Sequence, residues 1–211
     1  MLASSDWEGA INVYSPFTYR ITKILRYRLS QLSCLAEHED LLISATHTYE
    51  VALWSITRDF RLMKTFKTKQ FACAMAVSPY GNLFVTGGNH LTQLIFWHPK
   101  ISQSMHITDN LENEISQVLR FIHSYNKSFD KVRLLQGLLD GKLSLYRFDG
   151  FPFRMELCKR WHLGDKASSF YWLSKERSIA ASERGLFEIS LSNKTDEKAQ
   201  LFNMPSLYKV L

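Results

Sequence analysis

The sequence predicts an all-β chain made of about five similar four-stranded antiparallel sheets. Three observations predict it. Composition is 45% hydrophobic and 13% aromatic, and the aromatics accompany many Val, Ile, Leu and Thr residues, which suit half-buried pleated strands. One pattern recurs along the chain: a strand, a tight polar turn, and a second strand ending on an aromatic. The closing aromatics of the first four copies, Tyr14, Trp54, Trp97 and Tyr146, are 40, 43 and 49 residues apart, and a period of 20–50 residues is the mark of a repeat architecture.

The first copy runs from Leu2 to Tyr14, with Asp6-Trp7-Glu8-Gly9 as its turn. The second runs from Leu42 to Trp54, turning at His47-Thr48-Tyr49. The third is Leu83-Phe84-Val85-Thr86-Gly87-Gly88 followed by Leu94-Ile95-Phe96-Trp97. Leu134 to Tyr146 is the fourth, and a weaker fifth copy from Ile179 closes near Ser190. Upstream of the second and third copies lie Leu32-Ser33-Cys34-Leu35-Ala36 and Phe71–Val77, small and apolar as innermost strands must be. Ser168–Leu173 is the corresponding candidate for the fifth unit. Ser78-Pro79-Tyr80-Gly81-Asn82 reads as a turn, because Pro presets φ while Gly and Asn tolerate a positive one.

Between Trp97 and Leu134 two readings compete. Asp109-Asn110-Leu111-Glu112 could cap a helix with Leu111, Ile115, Val118, Leu119 and Ile122 on one face. The register of the whole array favours an inner strand at Gln117–His123 and a long loop over about 98–114.

A four-stranded propeller blade takes ~40–45 residues, so the expected fold is a β-propeller region spanning 1–211, with about five blades. Phe71–Trp97 resembles a WD repeat, and residues 32–54 are similar, with Leu-Trp-Ser where that family usually ends in Trp-Asp. No unit has the Gly-His dipeptide or a true Trp-Asp ending; the endings are Tyr-Ser, Trp-Ser, Trp-His and Tyr-Arg. The family's buried Asp-His-Ser-Trp hydrogen-bond network is therefore expected to be absent or degraded. The array itself is expected to be an incomplete, open fragment of a larger propeller. The alternative is that Ser206–Leu211 supplies the inner strand the first unit lacks and closes a ring.

Composition excludes several function classes. The longest apolar run, Phe71–Val77, is far shorter than the ~20 residues of a spanning helix, and Asp6 and Glu8 stand where a signal peptide would need basic and then apolar residues. Cys34, Cys73 and Cys158 form no CxxC pair and no metal-ligand spacing with the seven histidines. Cys34 and Cys73, 39 residues apart, read as packing residues in equivalent strand positions. Gly87-Gly88 ends a strand without opening a helix, so it is no phosphate loop. No catalytic residue, metal site, cofactor or small-molecule substrate is expected, and the compartment is expected to be cytoplasmic, with the nucleus as the alternative.

The chain carries a net charge of +6, spread evenly: ten basic against seven acidic residues in 1–100, sixteen against thirteen in the rest. Locally it is concentrated. Arg20, Lys23, Arg26 and Arg28 follow the first closing aromatic, and Arg58, Arg61, Lys64, Lys67 and Lys69 the second. In a propeller these become outer strands of neighbouring blades, forming either an electropositive flank for RNA, anionic lipid or an acidic protein segment, or simply a solvated edge guarded by charge. Trp7, His47, Tyr49 and His90 sit in or beside the turns of the family's narrower surface, where exposed aromatics are hot-spot material; the plainer reading is that Trp7 packs over the next blade. The resulting functional expectation is a non-catalytic scaffold that binds other proteins through top and flank. An RNA-associated subunit is the alternative.

Overall fold

A computed structural model of the chain describes residues 2–27, 30–79, 83–88, 93–101, 104–108, 115–122, 133–149, 154–174, 177–191 and 200–201. Every regular element among the described residues is a β-strand, and no helix is long and apolar enough to cross a membrane. The chain divides into two compact units, Met1–Leu119 and Arg120–Leu211.

The first unit holds three antiparallel sheets. The first has three strands in the order β1 (Leu2–Ser5), β2 (Ala10–Tyr14), β3 (Ile21–Arg26). The second has four: β4 (Leu32–His38), β5 (Leu41–Thr46), β6 (Glu50–Ser55), β7 (Arg61–Lys67). The third repeats that order with β8 (Ala72–Val77), β9 (Phe84–Gly88), β10 (Leu94–Trp97) and β11 (Ser104–Ile107). The stretch 98–114 is therefore not one long loop. It contains β11, which pairs Ile107 with Ile95 and His106 with Phe96. Four residues flanked by turn formers give too short an alternation to read as a strand without its partner.

A further strand, β12 (Ser116–Ile122), straddles the boundary, so Val118, Leu119 and Ile122 of the ambiguous segment lie on a strand; Asp109-Asn110-Leu111-Glu112 and His123 lie outside the described residues. It leads the fourth sheet, β12, β13 (Arg133–Leu138), β14 (Lys142–Asp149), β15 (Arg154–His162). The fifth is β16 (Ala167–Ser174), β17 (Arg177–Ser182), β18 (Gly185–Ser190), β19 (Gln200–Leu201).

In the first unit the core lies between consecutive sheets. Ile11, Val13 and Leu25 of the first sheet pack with Leu42, Ala52 and Trp54 of the second. Ile43, Val51, Leu53 and Phe66 of the second pack with Met75, Phe84, Ile95 and Trp97 of the third. Phe84 and Trp97 stack at 6.1 Å, and Phe66 meets both rings. Cross-strand register makes the copies superposable: Leu2 faces Tyr14, Leu42 faces Trp54, and Phe84 faces Trp97. Leu42 is 1% exposed and Phe84 0%, whereas Leu2 is 48% exposed, because the sheet that would cover it has no counterpart among the described residues of its unit.

One register detail corrects the reading of the cysteines. Inner strands of the second, third and fifth sheets each carry a bulge at their second residue: Ser33, Cys73 and Ser168. Cys34 pairs with Ala45, as Ala74 does with Gly87. Cys73 is thus the counterpart of Ser33, not of Cys34; the bulge takes up one residue that counting along the chain cannot see. Both are nonetheless strand residues with protonated thiols. Burial pushes Cys34 up to about 12 and raises Cys73, and the Cys34 thiol donates to the Ala72 carbonyl at 3.7 Å.

Candidate interaction surface

Closing aromatics do more than fill space. Trp54 Nε1 donates to Ser44 Oγ at 3.0 Å, and Trp97 Nε1 donates to Thr86 Oγ1 at 3.0 Å, both buried. The Tyr14 and Ser4 hydroxyls bond at 3.1 Å. In each case the hydroxyl stands two residues beyond the aromatic's cross-strand partner, so the diagonal bond recurs with the repeat. The bond is buried and made by tryptophan in the second and third sheets, and exposed and made by tyrosine in the first. The residue after the aromatic keeps a second role, supplying an acceptor for the following turn. Ser15 Oγ accepts the Phe17 and Thr18 amides, Ser55 Oγ the Arg58 amide, and His98 Nδ1 the Lys100 amide. Ser55 also donates to Asp40, whose carboxyl is held below its usual range chiefly by the Thr57 backbone amide, then by the Thr57 hydroxyl.

A different set of bonds, at the other end of the sheets, fixes the turns on which the aromatic candidates sit. Asp6 Oδ1 accepts the amides of Glu8 and Ala10, at 3.0 and 2.8 Å, which leaves Trp7 on the outside of the turn, 76% exposed. His47 is the matching residue in the second sheet, its amide donating to Gln31 at 2.9 Å. The two rings lie 6.2 Å apart, and His47 in turn lies 4.2 Å from Phe71, the residue entering the third sheet. A row of three rings therefore crosses three consecutive sheets at one end. Trp7 does not merely pack over its neighbour, since three quarters of it remains in solvent. Phe71 was missed in the sequence because it belongs to an apolar run and only the fold brings it to His47.

Tyr49 belongs to the same end. It has φ +60°, at the place where the first and fourth sheets have Gly9 (φ +84°) and Gly141 (φ +83°). A left-handed conformation costs a side-chain-bearing residue about 1–2 kcal/mol, and this tyrosine is 47% exposed. Its carbonyl accepts the Thr68 amide at 2.8 Å, tying the turn to Lys67-Thr68-Lys69. His90 and Arg28 lie outside the described residues, as do Tyr80-Gly81-Asn82 and Ser206–Leu211.

The basic candidates do not form one band. Lys23 Nζ on β3 donates to the Asp59 carbonyl at 2.7 Å, pairs with its carboxylate, and sits 5.8 Å over the Phe60 ring. Lys64 Nζ on β7 donates to the Lys100 carbonyl at 3.2 Å and sits 5.3 Å over Phe66. Both reach 36 residues ahead, so each staples its outer strand to the outer turn of the next sheet. Arg26 pairs with Ala10 and Lys67 with Glu50, which places them, with Lys69, at the aromatic end. Arg20, Arg58 and Arg61 lie at the opposite end, beside the turns after Tyr14 and Trp54. All six of these arginines and lysines are exposed.

No family model and no curated protein matches the chain. Solved structures do: 1343 chains match it. One, from a "Crystal Structure of Mitotic Checkpoint Complex", aligns with a TM-score of 0.70 over 92% of this chain at 13% identity. That complex contains a propeller. The fold of this chain is a β-propeller. The chain spans 59% of the length of the solved chain it matches, and at that identity the likeness carries architecture alone. Each sheet is a blade, the first with three strands among the described residues, and the ring row runs along the ends of the first three.

Proposed function

We propose that this propeller is a divergent WD-repeat scaffold that binds protein partners through the end carrying Trp7, His47, Phe71 and Tyr49, and catalyses no reaction. The observation that carries the reading is Trp7, set on the outside of the hydrogen-bonded Asp6 turn, three quarters exposed and continued by two further rings. Aromatic side chains bury large areas with few rotatable bonds, so an exposed row of them binds at low entropic cost. WD-repeat membership is supported by the buried Trp54–Ser44 and Trp97–Thr86 bonds, which match the hydroxyl–tryptophan part of that family's network. The raised, burial-protonated thiols of Cys34 and Cys73 speak against nucleophilic chemistry; a cytosolic setting, with the nucleus as alternative, rests on the three widely spaced cysteines of the sequence. RNA association is the second reading, resting on Arg20, Arg58 and Arg61, exposed at the opposite end.

Affinity capture with the intact protein tests the choice. Trp7→Ala is expected to lose co-purifying proteins roughly tenfold while circular dichroism stays unchanged, and Arg20→Glu with Arg58→Glu is expected to lose none. If the arginine variant loses its partners and Trp7→Ala keeps them, the binding end has been misassigned.

A further inference from the structure

We infer that the partner segment received at the aromatic end is extended and acidic, with an apolar side chain laid on the ring row; this rests on the surface reading above. Two features point to it. The first is charge. Lys67 and Lys69 flank Thr68, whose amide is bonded to the Tyr49 carbonyl, and the Thr68 hydroxyl donates to the Gln70 carbonyl at 2.7 Å. Gln70 is anchored through its own Nε2 to the Gln93 carbonyl at 2.7 Å. Two exposed ammonium groups are thereby carried on an ordered backbone beside Phe71, with Arg26 exposed on the first sheet at the same end. Among the described residues of the first unit the acidic groups at this end are exposed Glu8 next to Trp7, half-buried Asp6, whose carboxylate accepts its own turn's amides, and buried Glu50, opposite Lys67. The exposed side chains near Tyr49 and Phe71 are therefore predominantly basic.

The second feature is Tyr49 itself. Sister turns use glycine at this place, and glycine would relieve the backbone here. An aromatic held in the left-handed region is a candidate for a functional side chain. Tyr49 shares its turn with His47, and the Thr68 amide bonded to its carbonyl lies between the two lysines. Tyr19, also at positive φ, has no such surroundings among the described residues at the opposite end. The rings favour a peptide over a nucleic acid. Trp7 and His47 are tilted 42° to each other, and His47 and Phe71 54°, so the row presents no set of parallel faces on which successive bases could stack. A ridge of tilted ring edges suits an aliphatic or aromatic side chain from an extended chain. Carboxylates on either side of that anchor would meet Lys67 and Lys69.

The test uses the intact protein and three fluorescent probes: a dodecapeptide with a central Phe between Glu-Ser repeats, the same peptide with Lys for Glu, and an oligouridylate of matched length. The acidic peptide is expected to bind tightest, to weaken with added salt, and to lose roughly tenfold in affinity in a Lys67→Glu/Lys69→Glu variant. Tyr49→Gly is expected to weaken it by a similar factor while the melting temperature stays level or rises by up to about 4 °C. That combination separates a binding role from a structural one. Equal or tighter binding of the lysine peptide or of the oligouridylate overturns the acidic assignment, as does indifference to the Lys67/Lys69 charge reversal. If Trp7→Ala still abolishes partner capture in those circumstances, the partner class alone has failed; if Trp7→Ala changes neither assay, the surface has failed too.

Discussion

Replacing Leu42 by Ala and, separately, Leu2 by Ala asks whether consecutive blades are held by the packing described. The two leucines are chemically identical, hold the same register position opposite a closing aromatic, and differ in cover: 1% against 48% exposed. Deleting a fully buried leucine side chain costs about 2–5 kcal/mol, the spread reflecting how far the cavity collapses. Leu42 sits between Ile11, Val13 and Leu25 on one side and its own sheet on the other, where strands on both sides resist collapse, so the upper half of that range applies. Leu2 gives up only about half of its transfer free energy and leaves no closed cavity, for a cost of about 1 kcal/mol or less. The difference, roughly 3 kcal/mol, corresponds to a gap of about 6–12 °C in melting temperature for a chain of this size. Urea unfolding followed by tryptophan fluorescence reads it directly, with m-values checking that the cooperative unit is unchanged. Equal losses for the two substitutions would show that the Leu2 face is covered in solution and that the exposed first sheet is wrongly described.

Three further expectations follow the same logic. Trp97→Phe keeps the stack on Phe84 but leaves the Thr86 hydroxyl buried without its donor, and should cost about 1–3 kcal/mol in equilibrium unfolding; a change within error would mean the diagonal bond contributes nothing. Lys64→Met removes a partly exposed staple, so it should cost no more than about 1 kcal/mol but raise amide hydrogen exchange at residues 98–101, and unchanged exchange there would refute the stapling role. Asp40 has its carboxyl lowered in the folded chain, so its contribution is present above the unfolded value of about 3.9 and is lost as pH falls through the lower folded one. Asp40→Asn should therefore flatten the acid limb of the stability profile, and an unaltered limb would contradict the assignment.

Much of this architecture was legible in residues 1–100. There the closing aromatics, the turn residues and the small-residue inner strands all follow the repeat, so the blades could be placed by spacing alone. What escaped was whatever depends on contacts between residues far apart in sequence. The strand β11 is four residues long and becomes visible only against β10. The bulge at Cys73 shifts a register that counting assumes to be uniform. Lys23 and Lys64 looked like members of a charged band because composition cannot show that each reaches a carbonyl 36 residues ahead. Phe71 was hidden in an apolar run, and the strain at Tyr49 appears only once its turn is compared with those of Gly9 and Gly141. The missing Trp-Asp endings pointed to an absent or degraded network; what the structure adds is that Ser44 and Thr86, two residues past the cross-strand partners, each accept a bond from a closing tryptophan. That pattern could have been found in the sequence, because Ser44 and Thr86 precede Trp54 and Trp97 by 10 and 11 residues.

The most direct measurement of the central claim is photo-crosslinking from two exposed aromatic positions on the first sheet. A benzophenone side chain replaces Trp7 at the ring row in one variant, and in another replaces Phe17, 91% exposed at the opposite end. Partner adducts are expected from position 7 and background labelling from position 17. Adducts from 17 with none from 7 would place the binding surface at the opposite end and contradict the assignment.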